Sequence, residues 1–170
     1  MNYNLISINT LKLDKNTIIQ ISKLKDSQWK FGLKSQLEWF KKNIKENDIH
    51  NLFYIKSKLI GYTLLRKRLY NTSDQLKKKN YILFDTLIIH KNFREKKFSN
   101  LLMIFNNTVI KETGLFSFLI CNNDLVRFYK KNNWIKLNKR NIQVKDHPFY
   151  NNGMIFNTNK IQKYYFYVNK

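Results

Sequence analysis

The sequence is poor in cysteine, proline, glycine and acidic side chains. Its 170 residues include one Cys, one Pro, four Gly and 11 Asp or Glu. The single Cys121 excludes an intramolecular disulfide and a cysteine-rich zinc site. No apolar run reaches the roughly 18 residues that a membrane span needs, and the first residues show no secretory-signal pattern. These absences predict a cytoplasmic protein, and the length predicts a single domain over residues 1–170.

The chain has a large excess of positive charge, with 32 Lys and Arg and a net charge of +21. The basic residues are mostly Lys and are scattered over many segments, in a chain without Ala and rich in Asn, Ile and Phe. An AT-rich genome produces such a bias without any function. We therefore expect a solvated basic surface that attracts anionic ligands, and no nucleic-acid partner. The three His residues lack metal-ligand spacing, so no metal is expected.

Apolar periodicity predicts the element order β, α, α, β, β, β, α, β, α, β, β. Residues 81–90 and 115–121 are apolar strand segments separated by a helical stripe that begins at Phe98, which indicates a parallel βαβ unit. Residues 52–55 and 59–69 form a predicted hairpin, and the polar residues 71–80 a loop. Ser35 and Glu38 have the spacing of a capping box at a helix start. The pattern predicts an α+β domain whose sheet is mixed.

Two segments carry most of the chemistry. In residues 87–99 a strand, a basic turn and a helix start follow one another, and Arg94, Lys96 and Lys97 beside the helix amides predict an anion site. Residues 122–134 leave a strand, form a short helix and return to a strand. The two segments are expected to bracket a cleft at the carboxyl ends of two parallel strands, where ligands often bind.

At these residues the sequence resembles the GNAT acyl-CoA N-acyltransferase superfamily. The first family motif reads approximately V-x-P-x-[YF]-R-G-x-G-x-[GA], and the residues in register here are Ile89, Phe93, Arg94 and Ser99. The second reads N-x-x-[AL]-x-x-[FL]-Y-x-x-x-G-[FW], and it is matched by Asn122, Leu125, Phe128, Tyr129 and Trp134. Where the family has glycine, this chain has Glu95, Lys97 and Asn133. A positive φ at Lys97 would cost about 1–2 kcal/mol.

The resemblance implies a GNAT-like single domain: a mixed, mostly antiparallel sheet of six to seven strands with a central parallel βαβ unit, flanked by about four helices. It also implies an N-acetyltransferase that moves an acetyl group from acetyl-CoA to a primary amine by direct attack in a ternary complex. Tyr129 would protonate the leaving thiolate, and Asp85 would be a base or a substrate anchor. The residues implied in cofactor binding are Ile88, Ile89, Arg94, Lys96, Lys97, Phe98, Ser99 and Asn122.

The acceptor is expected to contact aromatic and polar residues outside the two motifs. Trp29 and Phe31 lie between the first two helices, His90 ends a strand, and Tyr150 lies in a late loop. Such residues suit a small amine, for example an amino sugar or an aminoglycoside-like molecule, bound by a monomer or a homodimer.

Several alternatives stay open. A peptide N-terminus is another possible acceptor. Tyr129 could be a packed core residue, His90 a capping residue, and Asn122 part of an Asx turn. The whole chain could bind acyl-CoA or a partner without turnover, or be a basic nucleic-acid-binding module.

Overall fold

The structure is a computed structural model that describes residues 2–73, 75–94, 96–149 and 151–169. Within these ranges lie nine strands and four α-helices. In chain order they are β1 (Tyr3–Asn9), α1 (Lys15–Trp29), α2 (Leu33–Asn43), β2 (Ile49–Ile55), β3 (Lys58–Thr72), β4 (Gln75–Ile89), α3 (Phe98–Glu112), β5 (Ser117–Cys121), α4 (Asn123–Lys131), β6 (Ile135–Lys136), β7 (Ile142–Val144), β8 (Asn152–Phe156) and β9 (Tyr164–Tyr167).

The strands are hydrogen-bonded in the order β1-β2-β3-β4-β5-β8-β6, and β9 pairs with both β3 and β7. The β4–β5 pair is parallel and is joined through α3, so the predicted βαβ unit is confirmed. Most other pairs are antiparallel, which confirms the α+β class with a mixed sheet. The strand count is nine rather than six to seven, partly because β7 has only three residues, too few for its alternation to stand out in the sequence.

The chain divides into two compact units, one with the residues up to Arg66 and Thr86–Asn106, the other with Lys67–Asp85 and the residues from Asn107 onward. In the first unit, Ile21 of α1 and Phe40 of α2 are buried in one cluster with Ile88 of β4. The next residue, Ile89, belongs to a second cluster with Phe98 of α3. This division follows from the alternation of side chains along a strand.

The second unit has an aromatic core. The rings of Phe118 in β5 and Phe166 in β9 are stacked, with centroids 3.8 Å apart. Tyr81 and Tyr164 are buried beside them. The parallel ladder joins Ile82–Leu83 of β4 to Ser117–Phe118 of β5. Large rings at inward positions of β4, β5 and β9 therefore pack together in this core.

Two local predictions are wrong. Residues 71–80 are not a loop, because β3 continues to Thr72 and β4 begins at Gln75. Residues 77–80 are polar and exposed although they belong to a strand. The sequence therefore shows no apolar alternation there from which a strand could be predicted. Helix α2 begins at Leu33, two residues before the expected capping box. Gly32 holds a φ of 86° there, and its amide donates to the Asp26 carboxylate at 2.7 Å.

His50 is a fully buried titratable residue in the first unit. Its Nε2 lies 2.9 Å from Thr10 Oγ1, and its Nδ1 lies 2.8 Å from the Tyr62 hydroxyl. The imidazole also stacks against the rings of Phe40 and Tyr62. Burial lowers the pKa of His50 to about 4, so the ring is neutral at neutral pH.

We expect the protein to lose stability as the pH falls from 7 to 4. In this range the unfolded chain protonates His50 and the folded chain does not, so folding becomes less favourable by roughly 3 kcal/mol. Urea unfolding of the parent and of His50→Gln at several pH values measures the difference. The exposed His147→Gln is the matched control and is expected to follow the parent. If His50→Gln lost as much stability between pH 7 and pH 4 as the parent, His50 would not be the cause of the pH dependence.

Candidate functional site

The segment between β4 and α3 lies in the first unit and forms a compact turn. The His90 amide donates to the Ile60 carbonyl at 2.7 Å, which holds the end of β4 against β3. A short 3-10 turn over Lys91–Phe93 follows, and α3 begins at Phe98. Residues 96 and 97 are exposed just before the helix. The first turn of an α-helix has amide groups without intrahelical partners, so this position favours an anion.

Lys97 has the backbone conformation that the motif comparison requires. Its φ is 58°, in the left-handed region, where the family motif has glycine. Its carbonyl accepts from the amides of Asn100 at 3.0 Å and Leu101 at 3.3 Å, so it directly precedes the first turn of α3. In the second unit Asn133, the other glycine position among the described residues, has a φ of 66°. Both turns therefore keep a glycine-like backbone without glycine.

Arg94 is held in place by two hydrogen bonds. Its Nε donates to the Ile89 carbonyl at 3.2 Å, and its terminal guanidinium nitrogen donates to the side chain of Gln28. The guanidinium is thereby attached to the end of β4 and to α1. An arginine anchored in this way keeps a permanent positive charge beside the turn.

Three of the predicted cofactor-binding residues have core side chains. Ile88, Ile89 and Phe98 are at most 8% exposed and lie in the two apolar clusters of the first unit. Only their backbone groups are available to a ligand. Ser99 is half-buried in the first turn of α3, where its hydroxyl is next to the basic turn in sequence.

Tyr129 is a buried phenol on α4, in the second unit. Its ring packs edge-on against the Phe84 ring, with the centroids 6.0 Å apart, and its centroid lies 6.0 Å from that of the Trp134 ring. Its carbonyl accepts from the amides of Asn132 and Trp134, which ends the helix. Burial raises the pKa of Tyr129, so the phenol stays protonated at physiological pH. The residue is therefore packed in the core with its phenol in the protonated form.

Cys121, at the end of β5, is a poor nucleophile. Burial raises the pKa of its thiol to about 11. Its thiol donates a hydrogen bond to Met154 Sδ at 3.8 Å. Since the thiolate is the reactive form, a thiol with this pKa is almost entirely inactive at neutral pH.

Asn122 precedes α4 and is exposed, and its side chain makes no capping hydrogen bond to the helix. It borders a cavity of about 430 Å³ in the second unit. Asn152 Nδ2 donates to Asn123 Oδ1 at 2.8 Å in the same cavity wall. The cavity wall also includes Asp124, Lys139 and Asn151. Amide groups and one carboxylate thus face the same space.

Asp85 is exposed and follows Phe84 in β4. The Phe84 ring contacts Tyr129, so strand alternation directs the Asp85 side chain to the opposite face of β4. The second unit therefore does not bring these two predicted catalytic residues into contact.

The predicted acceptor-binding residues differ in their surroundings. Trp29 ends α1 and is 39% exposed, and Phe31 is 70% exposed. His90 lines a cavity of about 360 Å³ in the first unit, together with Lys23 and Lys58. Tyr150 lies outside the described residues.

His90 also caps the 3-10 turn that follows it. Its Nδ1 accepts the Asn92 amide at 3.3 Å, so the capping role left open by the sequence is observed. Burial, followed by the nearby charges of Lys58, Lys91 and Arg94, lowers the pKa of His90. With Nδ1 accepting, the neutral ring carries its proton on Nε2 and acts there as a donor.

The described residues contain no group of three His, Cys, Asp or Glu side chains able to hold a metal ion. Over the same residues, no helix is both long and apolar enough to cross a membrane.

Of the comparisons with known proteins, only the one with solved structures found matches. No protein-family model matches the sequence, and no curated protein matches it. Solved structures do. An acyl-CoA N-acyltransferase from Pseudomonas aeruginosa superposes with a TM-score of 0.66 at 10% identity, covering 91% of this chain and 99% of that one. The chain has a GNAT-like α+β fold.

Two further structures share this GNAT-like fold. Escherichia coli ElaA has a TM-score of 0.63 at 14% identity, over 91% of this chain and 99% of its own. The PaiA N-acetyltransferase from Thermoplasma acidophilum, solved in complex with coenzyme A, has a TM-score of 0.56 at 14% identity, over 91% and 98%.

Sequence reasoning missed several residues that line the two cavities of the GNAT-like fold. Lys23 and Lys58 line the cavity beside His90, and Lys139 and Asn152 line the cavity beside Asn122. None belongs to either motif, and their only local signal is a polar side chain in a chain full of Lys and Asn. Long-range strand and helix packing, rather than spacing along the chain, brings them to these cavities.

We expect Lys97→Gly to be more stable than Lys97→Ala by about 1 kcal/mol. Both changes remove the same charge, but only glycine adopts a positive φ without strain, and this outweighs its larger loss of entropy. Denaturant unfolding measures the difference. The pair Lys96→Gly and Lys96→Ala is the control, because Lys96 is described and has no positive φ, so there alanine is expected to be the more stable. Equal stabilities at Lys97 would refute a strained turn.

Proposed function

We propose that this chain is an N-acetyltransferase that moves an acetyl group from acetyl-CoA to a primary amine of a small molecule. One observation carries the proposal. Lys97 and Asn133 keep a left-handed backbone at motif positions where the family has glycine, in a chain with a GNAT-like fold. The turn shapes of both motifs are therefore retained although the residues have changed. A fold neighbour solved with coenzyme A supports the same cofactor.

In this proposal the turn before α3 holds the phosphates of the cofactor. Arg94, Lys96 and Lys97 supply positive charge, and the first amides of α3 supply N–H donors. The residues fit a polyanionic ligand because Arg94 is exposed and anchored, and Lys96 and Lys97 are exposed. The bound cofactor supplies the acetyl group as an activated thioester. Backbone groups near Ile88 and Ile89 hold the next part of the cofactor. Asn122, in the second unit, stays a proposed cofactor contact.

Tyr129 supplies the proton for the leaving group. The amine nitrogen forms the new C–N bond as the C–S bond breaks, and the Tyr129 hydroxyl gives its proton to the sulfur. The phenol is in the protonated form that a general acid requires, although burial makes it a weaker acid than a free tyrosine. The amine must lose a proton, since a primary alkylamine has a pKa of about 10. Asp85 is the proposed base or ammonium anchor, and it is exposed to an incoming substrate.

The cavity beside Asn122 supports an amino sugar or an aminoglycoside-like acceptor. Side-chain amides of Asn122, Asn123 and Asn152 offer both donors and acceptors, which suit hydroxyl groups. The Asp124 carboxylate in the same wall suits an ammonium group. Trp29, Phe31, His90 and Tyr150 remain the other proposed acceptor contacts.

A second candidate function is acyl-CoA binding without turnover. It is favoured because Asp85 lies on the face of β4 opposite to the one that Tyr129 contacts. It is also favoured because His90 Nδ1 already accepts a hydrogen bond, so His90 does not serve as the base. The two functions share the cofactor and differ in turnover, so they are separated by the two experiments below.

We expect acetyl-CoA and free CoA each to raise the Tm, because both bind the native state. The double variant Arg94→Gln and Lys97→Ala should bind CoA more weakly and with a flatter salt dependence, since charge attraction is screened by salt. Removing two charges from α2, with Lys34→Gln and Lys41→Gln, is the matched control and should leave the affinity nearly unchanged. No Tm shift with millimolar CoA or acetyl-CoA would refute both candidate functions.

We expect Tyr129→Phe to lower kcat by about 10²–10⁴-fold with little change in KM, because only the general acid is lost. Thiol release from acetyl-CoA with a panel of amino sugars and aminoglycosides measures it. Tyr81→Phe is the matched control, since it removes a buried hydroxyl that donates to the Tyr167 carbonyl. Tyr81→Phe should lower the free energy of unfolding and leave kcat unchanged. A Tyr129→Phe variant with the parent rate would make Tyr129 a core residue, and CoA binding without thiol release would favour the second candidate.

A further inference from the structure

Strand β9 exposes two tyrosines on one face. Along Tyr164–Tyr167, the first and third residues are buried in the core of the second unit, whereas Tyr165 and Tyr167 are half-buried. Because side chains alternate along a strand, the rings of Tyr165 and Tyr167 lie together on the face opposite the core, roughly 7 Å apart along the strand.

The ammonium groups of three lysines lie over these two rings. Lys78 Nζ lies 4.4 Å from the centroid of the Tyr167 ring. The Nζ atoms of Lys145 and Lys163 lie 4.8 Å and 5.5 Å from the centroid of the Tyr165 ring. All three lysines are exposed. We call Tyr165, Tyr167, Lys78, Lys145 and Lys163 the Tyr–Lys face.

The neighbouring strands extend this face with neutral side chains. Asn71 and Leu69 of β3 pair with Tyr165 and Tyr167, and Gln143 of β7 pairs with Tyr165. Directly paired residues share a face of the sheet. Asn71 and Leu69 are half-buried and Gln143 is exposed. The two rings thus lie within a flat polar surface rather than in an apolar patch.

The acidic group nearest in sequence to Lys145 is already engaged. Asp146 accepts the backbone amides of Val168 at 2.8 Å and Asn169 at 2.9 Å, just after β9. Its carboxylate is therefore bound to the end of the strand. The Tyr–Lys face keeps its positive charge, in a chain whose net charge is +21.

We propose that the Tyr–Lys face binds single-stranded nucleic acid. On binding, the ammonium groups of Lys78, Lys145 and Lys163 exchange their ring contacts for phosphates, and bases stack on Tyr165 and Tyr167 in their place. Stacking needs an unpaired base with a free π-face, which a duplex does not offer, and lysines beside aromatic rings are the pattern that single-strand binding uses. The proposal is independent of acetyl transfer, because every residue in it lies outside the two motifs.

Binding of a fluorescein-labelled 12-nucleotide oligouridylate, followed by fluorescence anisotropy at several salt concentrations, tests the proposal. A duplex RNA of the same length and label is the comparison ligand. We expect the single strand to bind more tightly than the duplex, with an affinity that falls as salt increases.

Two sets of variants locate the binding surface. Tyr165→Leu and Tyr167→Leu, which keep apolar bulk, should each weaken single-strand binding by about tenfold. The triple change of Lys78, Lys145 and Lys163 to Gln should reduce the slope of log affinity against log salt by about 2, from three lost phosphate contacts. The triple change of Lys34, Lys41 and Lys42 to Gln on α2 removes the same charge and should have a much smaller effect.

The outcomes separate a built surface from general charge. If both Tyr variants retain their Tm but bind the oligouridylate as the parent does, the proposal is overturned. It is also overturned if the α2 triple variant loses as much affinity as the Lys78, Lys145 and Lys163 variant, or if the duplex binds as tightly as the single strand. Loss of binding in the Tyr variants, with the parent Tm and an unchanged response to CoA, supports it.

Discussion

Strand alternation along β4 is the constraint on which the rest of the structure depends. Ile88 and Ile89 are neighbours in sequence, but one packs in the α1–α2 cluster and the other in the α3 cluster. The same rule separates Phe84, which contacts Tyr129, from exposed Asp85. One extended strand therefore supplies core residues to helices on both of its faces. It also determines which of its polar side chains lie on the same face. A shift of one residue in its register would exchange all of these roles.

The two motif turns have the backbone conformation typical of glycine although neither contains glycine at these positions. Lys97 and Asn133 occupy left-handed φ angles where the resembled family has glycine. For Asn the cost is small, because its short side chain tolerates this region, whereas for Lys it is about 1–2 kcal/mol. The hydrogen bonds from Asn100 and Leu101 to the Lys97 carbonyl are consistent with a turn held by the start of α3. Lys97 also places a positive charge beside the N-terminus of α3. The charge and the free helix amides there both attract an anion.

Much of the candidate site could be predicted from the sequence because its parts are local. The basic turn, the helix that follows it and the Tyr129 segment each occupy a short stretch, and their backbone shapes agree with the motif register. Their surroundings were less predictable. The capping role of His90 and the shared cavity walls of Asn122 and Asn152 arise from contacts that sequence spacing does not encode.

The sequence by itself determined the order of the elements up to α4, the parallel βαβ unit and the end of α3 before Gly114, whose φ is 68°. These features depend on apolar periodicity and on turn residues, which act over a few residues. Only the tertiary structure decided that residues 71–72 and 75–80 belong to long strands, that the three residues Ile142–Val144 form β7, and that His50 is buried. It also gathered Lys78, Lys145 and Lys163 around two tyrosines. Strand pairing uses backbone groups that every residue carries, so polar segments can be strands without an apolar signal, and the partner that completes such a strand lies far away in the chain.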